Sequence, residues 1–480
     1  MAGVITNSGT ITDVSLSGGG PKGPGHIGIL RALADFGLLA GIRRVNGTSV
    51  GSLIGVLCAV GMSPQAITDL IEKEDFKKLL DDDPKIFNNS GRPIVRMLSK
   101  AIYDQLFNTE KKIKERAAGR LTEKETEGLH LLEQILEQNR HRVSDAPLKF
   151  TFQDLNQLQE AFPDNFKLFS TNAVFADSDS NDDLKTQVFN EANKDTLNVN
   201  LVEACRASAS LPLVLKPYVI GKTAYQDGGV LQNTLYSDGT PSAQQLMLVF
   251  KDPNSEALLD AWERYRKDKS DINQQAYEQT HLEYGWKKSI RNKAIARAFP
   301  NTQFTESAVE IRERDLRELL RKHPESVLIV NTPKITSSDF KKAKNKQEFV
   351  ILYNYFIGAK ALIDTNRGTI PVVTGTMAFQ ARIKLGLFLL EHFREAGGDK
   401  GNDFNSKQKA LLKICERLTD LTANVDTVLS EYKRECAKHR HALHLSEWTT
   451  STTLLNSMLR DFQNGNAVVS TNSARDPNIP

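Results

Sequence analysis

The first sixty residues alternate short apolar runs with glycine-rich turns. Residues 11–17 predict a strand that ends in a glycine cluster, and residues 25–40 place apolar side chains at helical spacing. Val45 precedes a second glycine-bounded turn, and the apolar run 52–60 predicts a buried helix. This order of strand, glycine loop, helix, strand, tight turn and helix is typical of an α/β domain with parallel strands.

Later apolar runs predict that the sheet continues well beyond this opening unit. Strands are predicted at 148–152, 166–175, 186–189, 246–250 and 327–330, and a helix at 199–210. The runs 246–250 and 327–330 have the unbroken apolar character of buried parallel strands. Two charged stretches with helical patterning, about 65–145 and 255–322, interrupt the series as insertions. We therefore predict one large α/β domain over residues 1–370, with a mainly parallel central sheet between helices.

The end of the chain has a different pattern. No proline occurs between Pro371 and Pro477, and amphipathic helices are predicted at 376–396, 406–444 and 447–463. This pattern predicts a helical C-terminal module over residues 371–465. The last residues, 466–480, are predicted to form a disordered tail.

Composition and charge narrow the class of protein. The 480 residues include 62 basic and 59 acidic side chains, a net charge of +3, which argues against a dedicated nucleic-acid binder. The four cysteines are far apart and form no CxxC pair, so no disulfide framework is predicted. We find neither a classical signal peptide nor an apolar stretch long enough to span a membrane. These features predict a cytoplasmic protein and leave open secretion by a route that needs no cleaved signal.

A glycine loop, Ser17–Gly23, lies between the first predicted strand and helix. Consecutive glycines expose backbone N–H groups at the foot of a helix, which is a site for negative charge. The loop also fits the dinucleotide pattern GxGxxG. However, the segment 43–49 has no acidic residue to bind a ribose, and Lys22 is followed by glycine rather than Ser or Thr. Both nucleotide interpretations are therefore disfavoured against an oxyanion site or an ordinary loop.

The second motif is a GxSxG sequence in which Gly47 and Gly51 flank Ser49. Small residues permit the tight strand-to-helix turn that presents a serine nucleophile. Ser49 comes too early in the chain for an ordinary α/β-hydrolase triad, which needs several preceding strands. A carboxylate held in a glycine turn, Asp227 followed by Gly228 and Gly229, is the alternative partner. A plain Asp-Gly turn is the structural interpretation of that segment.

Three other features carry a structural and a functional interpretation. His26 lies in the first turn of a core helix, where we favour a structural role over a catalytic one. Cys436, His439, His441 and His444 cluster on one segment, which does not readily supply a tetrahedral metal site, so neither metal nor cofactor is predicted. The basic amphipathic segment 286–299 suits either packing on the domain or an anionic membrane surface.

Taken together, the motifs resemble the patatin-like phospholipases. The resemblance rests on SGGGPKG at Ser17–Gly23, GHIGILRAL at 25–33, GTSVG at 47–51, ASASLP at 207–212 and DGG at 227–229. It covers roughly residues 11–235 and continues more weakly at 338–340 and 345–363. Ser17 stands where the family usually has Asp, as in some bacterial toxin-type members, and the long charged insertions are similar to that branch.

The resemblance implies a Ser–Asp dyad on a patatin-like sheet, with Ser49 as nucleophile and Asp227 as its activator. The resemblance also implies that backbone N–H groups of the glycine loop form the oxyanion hole. The residues that would donate them are Gly18, Gly19, Gly20, Lys22 and Gly23. Pro21 has no N–H to give. Because backbone donors stabilise the developing charge, the chemistry needs no metal or cofactor.

The expected function is that of a lipid acyl hydrolase of the phospholipase A type, acting on membrane phospholipids or related glycerolipids. Peripheral membrane association is expected through 286–299 or the C-terminal helices, and the need for a protein activator stays open. The alternative is a non-catalytic scaffold that binds lipid or protein through the C-terminal helices. The acyl position, head group and oligomeric state are not determined by the sequence.

Overall fold

A computed structural model describes most of the chain. The described residues are 4–5, 11–85, 88–117, 119, 121–177, 183–251, 255–282, 308–332, 335–336, 339–365, 367–370, 379–394, 406–420 and 422–438. The predictions for 286–299, 447–463 and 466–480 lie outside these residues. Two compact units are present: Gly9–Asn354, and Met1–Ser8 together with Tyr355–Pro480. This boundary precedes the predicted one at residue 370.

The larger unit contains a mixed, mostly parallel sheet. Its strands are β2 (Asp13–Leu16), β3 (Arg44–Thr48), β4 (Leu168–Asp177), β5 (Asp183–Phe189), β6 (Tyr218–Ile220), β7 (Thr223–Asp227), β8 (Gln245–Lys251) and β9 (Val327–Asn331). They run in the order β6-β7-β4-β3-β2-β8-β9, with β5 also paired to β4. The pairs among β4, β3, β2, β8 and β9 are parallel, so their carboxyl ends meet at one edge.

Helices flank this sheet, as the sequence predicted. They are α1 (Pro24–Asp35), α2 (Val50–Ala59), α3 (Pro64–Lys73), α4 (Arg92–Ala117), α5 (Glu123–Asn139), α6 (Phe152–Ala161), α7 (Leu201–Ser208), α8 (Glu256–Lys267), α9 (Asp271–Gln279), α10 (Ala308–Lys322), α11 (Phe340–Asn345) and α12 (Gln347–Asp364), of which residues 355–364 belong to the smaller unit. The first insertion supplies α3–α5, and the second supplies α8–α10. Because α2 is almost wholly apolar and packs on the central strands, it fixes the serine turn that precedes it.

The strand predicted at 148–152 is wrong. Thr151 accepts a hydrogen bond from the Asp154 N–H while the Asp154 side chain accepts one from the Thr151 N–H, which is a capping box. Helix α6 therefore begins at Phe152. The apolar side chains of Leu148 and Phe150 are buried without forming a strand. The alternation of apolar and polar residues over 148–152 predicted a strand, whereas the capping box at Thr151 starts a helix.

The smaller unit is mainly helical, as predicted. It contains α13 (Phe379–Phe393), α14 (Ser406–Glu416) and α15 (Val425–Lys438), together with the antiparallel pair β1 (Val4–Ile5) and β10 (Thr369–Ile370). The Arg382 guanidinium is buried and donates to the backbone carbonyls of Asp420 and Ala423. The Tyr432 hydroxyl donates to the Leu389 carbonyl at 3.1 Å and joins α15 to α13. Among the described helices of the whole chain, none combines the length and apolarity needed to cross a membrane.

Candidate active site

The glycine loop begins where β2 ends, at the carboxyl edge of the parallel strands. The Ser17 hydroxyl accepts the Phe250 N–H at 3.2 Å, and the Ser17 N–H donates to the Leu248 carbonyl at 3.1 Å. These two bonds attach the start of the loop to β8. The loop then turns through Gly20, whose φ of +58° is accessible to glycine at little cost. Helix α1 begins at Pro24, directly after the loop.

Ser49 occupies a strained turn between β3 and α2. Its φ of 55° and ψ of −125° lie in a region that non-glycine residues rarely adopt. A Cβ at Gly47 would lie 2.5 Å from the Gly51 carbonyl oxygen, and one at Gly51 would lie 2.1 Å from the Leu16 carbonyl oxygen. The turn therefore requires both glycines of the GxSxG motif, and it presents Ser49 at the start of α2.

Two serines that the sequence analysis missed hold this turn. The Ser208 hydroxyl accepts the Ser49 N–H at 2.9 Å, and the Ser52 hydroxyl donates to the Ser49 carbonyl at 2.6 Å. Both serines are fully buried. Ser208 belongs to the ASASLP stretch, so the resemblance indicated the segment but not this contact.

The structure brings Ser49 and Asp227 into direct contact. The Ser49 Oγ donates to Asp227 Oδ2 at 2.5 Å, and Asp227 Oδ1 accepts the Gly229 N–H at 2.8 Å. Ser49 is 6% exposed and Asp227 is 3% exposed. Burial raises the pKa of Asp227 to about 6, although the bonds from Ser49 and Gly229 and the charge of Arg312 oppose the rise. At neutral pH the carboxylate of Asp227 is therefore largely ionised, and it lies within hydrogen-bond distance of the Ser49 hydroxyl.

The structure removes Gly18 from the predicted donors of the oxyanion hole. Its N–H donates to the Asn233 carbonyl at 2.9 Å and is therefore already used. The Lys22 N–H is directed at the Gly19 carbonyl, at 3.4 Å. The roles of Gly19, Gly20 and Gly23 stay predictions.

His26 has a structural position. Its Nε2 lies 2.9 Å from the Ser17 carbonyl oxygen and donates to it. Burial lowers the pKa of His26 to about 4, so the ring is neutral at physiological pH. The ring also packs against Phe250, with centroids 4.2 Å apart. His26 thus supports the base of the glycine loop.

Two asparagines connect the three motifs, and the sequence analysis did not single out either of them. The Asn172 Oδ1 accepts the Thr48 hydroxyl at 2.8 Å, and its Nδ2 donates to the Gln232 carbonyl at 3.0 Å. The Asn233 Nδ2 donates to the Gly18 carbonyl at 3.0 Å. Asn172 pairs in register with Thr48, the last residue of β3, and therefore lies at the edge where the motifs meet. Asn233 lies four residues after the DGG motif and gave no signal by its spacing.

An apolar pocket of about 820 Å³, including its open mouth, adjoins Ser49. Its wall combines the glycine loop and α2 with residues of the first insertion. The lining residues are Gly20, Pro21, Gly23, Pro24, Ser49, Val50, Leu53, Ile54, Leu57, Ile71, Phe76, Leu79, Leu80, Ile94, Met97, Ala209, Leu211, Val214, Leu215 and Phe340. Except for the glycines and Ser49, these side chains are apolar. The pocket therefore suits a hydrocarbon chain ending near the serine.

The predicted absence of a metal stays a prediction. Of the cluster that the sequence analysis weighed, Cys436 is described and buried, whereas His439, His441 and His444 lie outside the described residues. Within the described ranges, no three His, Cys, Asp or Glu side chains converge as a metal site would require.

The glycine loop, the serine turn and the DGG turn together match a known family. Residues 14–238 match the family described as patatin-like phospholipase. The chain therefore contains a patatin-like phospholipase domain over these residues, and the match supports lipid hydrolase activity in general. A patatin-like phospholipase domain-containing protein of Caenorhabditis elegans is 46% identical over 59 residues. That match spans 12% of this chain and only 4% of the length of the relative.

Several solved structures are similar to the chain over most of its length. VipD from Legionella pneumophila is 16% identical, with 88% of this chain and 90% of that chain covered and a TM-score of 0.42. Full-length ExoU of the Pseudomonas aeruginosa type III secretion system, in complex with SpcU, is 17% identical, with 94% and 91% covered and a TM-score of 0.36. Human GIVD cytosolic phospholipase A2 is 11% identical, with 73% and 60% covered and a TM-score of 0.29.

Proposed function

We propose that the chain is a serine lipid acyl hydrolase of the phospholipase A type that uses Ser49 and Asp227 as a dyad. The observation that carries this proposal is the 2.5 Å hydrogen bond from Ser49 Oγ to Asp227 Oδ2, in which the serine also lines an apolar pocket. A nucleophile, a proton acceptor and an acyl-sized cavity are the parts that ester cleavage of a lipid needs.

In the proposed acylation step, Asp227 accepts the proton of Ser49 as Oγ attacks the ester carbonyl carbon. The oxygen of that carbonyl becomes an oxyanion, which the glycine-loop N–H groups stabilise. The carbon–oxygen bond to the alcohol then breaks, and the proton held by Asp227 passes to the leaving alkoxide. In the second step a water molecule gives a proton to Asp227 as its oxygen attacks the carbonyl carbon of the acyl-serine. The bond from that carbon to Ser49 Oγ then breaks, the proton passes from Asp227 to Oγ, and the fatty acid is released.

The pocket supports an acyl substrate rather than a polar one. Burying methylene groups along residues such as Leu57, Ile94 and Leu215 would stabilise the bound chain by about 0.8 kcal/mol for each methylene. We therefore propose membrane phospholipids or related glycerolipids as the substrate class. The enzyme would then act as a peripheral protein at a membrane surface, with the C-terminal helices or residues 286–299 as contact regions.

We also propose that the chain resembles the bacterial toxin-type members of the family more than the others. Ser17, which stands in place of the usual Asp, and the two helical insertions are the features of this chain that favour it. A requirement for a protein activator would fit a hydrolase that must stay inactive until it reaches its membrane.

Hydrolysis of a short, soluble fluorogenic ester and of mixed phospholipid vesicles tests the proposal. Ser49→Ala and Asp227→Asn should each lower kcat by about 10³-fold or more, because both halves of the dyad are needed. The matched control is Ser99→Ala. Ser99 is a fully buried serine on α4, and its hydroxyl accepts the Leu148 N–H. Mass spectrometry of the released lipids identifies the acyl position.

If purified wild-type protein cleaves no ester but binds vesicles, the chain is the non-catalytic scaffold. If Asp227→Asn keeps most of the activity, the dyad is wrong even though the enzyme class stands.

A further inference from the structure

Asn233 connects the glycine loop to the DGG turn through two reciprocal hydrogen bonds. The Gly18 N–H donates to the Asn233 carbonyl at 2.9 Å, and the Asn233 Nδ2 donates to the Gly18 carbonyl at 3.0 Å. The amide orientation is fixed by chemistry, because a carbonyl oxygen only accepts hydrogen bonds and Nδ2 must therefore face Gly18.

Asn233 is itself held from two other sides. Its own N–H donates to the Asp315 carboxylate on α10. The preceding carbonyl, that of Gln232, accepts the Nδ2 of the buried Asn172 at 3.0 Å. The backbone at Asn233 is therefore anchored to a helix and a strand, and from this position its side chain holds the Gly18 carbonyl.

Packing leaves no space for a side chain at the two glycines beside Asn233, which are Gly18 and Gly229. A Cβ at Gly18 would lie 2.6 Å from Asn233 Oδ1 and 3.1 Å from the Ser49 Cβ. A Cβ at Gly229 would lie 2.5 Å from the same Oδ1. The Asn233 amide thus fills the space between the glycine loop and the DGG turn, next to the serine.

The hydrogen bond from Asn233 Nδ2 to the Gly18 carbonyl also fixes the direction of the Gly19 N–H. The Gly18 carbonyl and the Gly19 N–H belong to one planar trans peptide group, in which they point in opposite directions. With its carbonyl held toward Asn233, this peptide directs the Gly19 N–H away from Asn233. The Gly18 N–H, by contrast, points at Asn233 and is used there.

We propose that Asn233 is a positioning residue that orients the Gly18–Gly19 peptide so that the Gly19 N–H is a donor of the oxyanion hole. The inference rests on the proposed acyl hydrolase function. Asn233 does not touch the reacting atoms in this arrangement. It acts by fixing the direction of a backbone donor before substrate arrives.

The expected effect is that of losing one oxyanion donor. Without the Nδ2 donor, the peptide is free to rotate, and kcat should fall by about 10²- to 10³-fold. KM for a soluble ester should change little, because the neutral ester carbonyl gains less from this donor than the oxyanion does. A trifluoromethyl ketone, which forms a tetrahedral oxyanion on the serine, should bind more weakly by a similar factor.

The experiment compares Asn233→Asp and Asn233→Ala with a matched asparagine elsewhere. Asn233→Asp keeps the shape and removes the donor, whereas Asn233→Ala removes the side chain. Asn139→Ala is the control, because Asn139 is buried and pairs reciprocally with the Lys149 backbone, at 2.8 and 3.1 Å, remote from the dyad. Each folded protein is measured for kcat, KM, ketone binding by calorimetry, and hydrogen–deuterium exchange over residues 17–23.

Parallel losses in kcat and ketone affinity, with KM nearly constant and faster exchange at Gly18, are expected for both Asn233 variants and not for Asn139→Ala. Wild-type kcat and wild-type ketone affinity in a folded Asn233 variant would overturn the inference. So would an equal loss in the Asn139→Ala control. A wild-type protein without esterase activity would overturn the proposed function instead, and exchange at Gly18 would still decide whether Asn233 holds the loop.

Discussion

Asp227 carries a charge in a nearly dry environment, and its protonation state controls the proposed chemistry. Because burial raises its pKa to about 6, the carboxylate is the minor form at pH 5 and the major form at pH 7. We expect kcat/KM for a soluble ester to rise with pH through about 6 and to level off above 7. A discontinuous ester-hydrolysis assay between pH 4.5 and 8.5 measures this rise in kcat/KM. A rate that falls over the same interval would show that the base is not Asp227.

The same burial costs stability. A carboxyl group whose pKa is higher in the folded than in the unfolded state holds its proton more tightly when folded. Its ionisation therefore lowers the free energy of unfolding as pH rises from about 4 to 6, and the loss persists above 6. Asp227→Asn should unfold with a free energy on the order of 1–3 kcal/mol higher than wild type at pH 8, and with little gain at pH 4. Urea unfolding at both pH values tests this, and an equal gain at both would contradict it.

Helix α10 lies beside the DGG turn and influences Asp227 at a distance. Burial is the main cause of the raised pKa, and the charge of Arg312 on α10 opposes it. Arg312→Gln should therefore raise the pKa of Asp227 further and move the rising limb of the pH profile to higher pH. Arg314→Gln, on the exposed side of the same helix, is the control and should leave the limb in place. A downward shift in the Arg312 variant would contradict the electrostatic role.

Helix α4 contributes Ile94 and Met97 to the apolar pocket. The proposed acyl site should therefore be adjustable in length from the first insertion. Met97→Trp should shorten the space and lower kcat/KM for a long-chain ester by about tenfold or more, with a short-chain ester nearly unaffected. Phe107→Trp on the same helix, at a side chain that is 52% exposed, is the control. Equal losses for both ester lengths would indicate general disruption rather than a shortened pocket.

Elements with strong local signals were predicted well, whereas links between elements were not. The strand, loop and helix around Gly18 and the turn at Ser49 follow from short glycine patterns, and the structure has them where expected. The start of helix α6 was missed because the alternating apolar residues over 148–152 predicted a strand. In the structure the Thr151 cap decides the conformation instead. Asn172 accepts the Thr48 hydroxyl and Asn233 donates to the Gly18 carbonyl, each across more than a hundred residues of sequence, and no local pattern encodes such a contact.

The C-terminal helices belong to the smaller compact unit, whereas Ser49 and Asp227 belong to the larger one. Deleting 376–480 keeps helix α12 whole and should leave hydrolysis of a short, soluble ester largely intact. We expect the same deletion to reduce binding to phospholipid vesicles strongly, since an amphipathic helical unit suits a targeting role. Vesicle sedimentation with full-length and truncated protein measures this. Equal binding would refute targeting, and failure of the truncated chain to fold would assign these helices to stability.

The separation of 178 residues between Ser49 and Asp227 has a consequence for synthesis in the cell. At about 5–20 residues per second, the ribosome exposes the nucleophile roughly 10–35 seconds before its carboxylate partner. Strand β8, which pairs with β2, and strand β9, which pairs with β8, follow later still. A nascent chain therefore carries an exposed serine without its base, and the proposed hydrolase cannot attack the lipids of the cell that makes it until translation has passed the DGG turn.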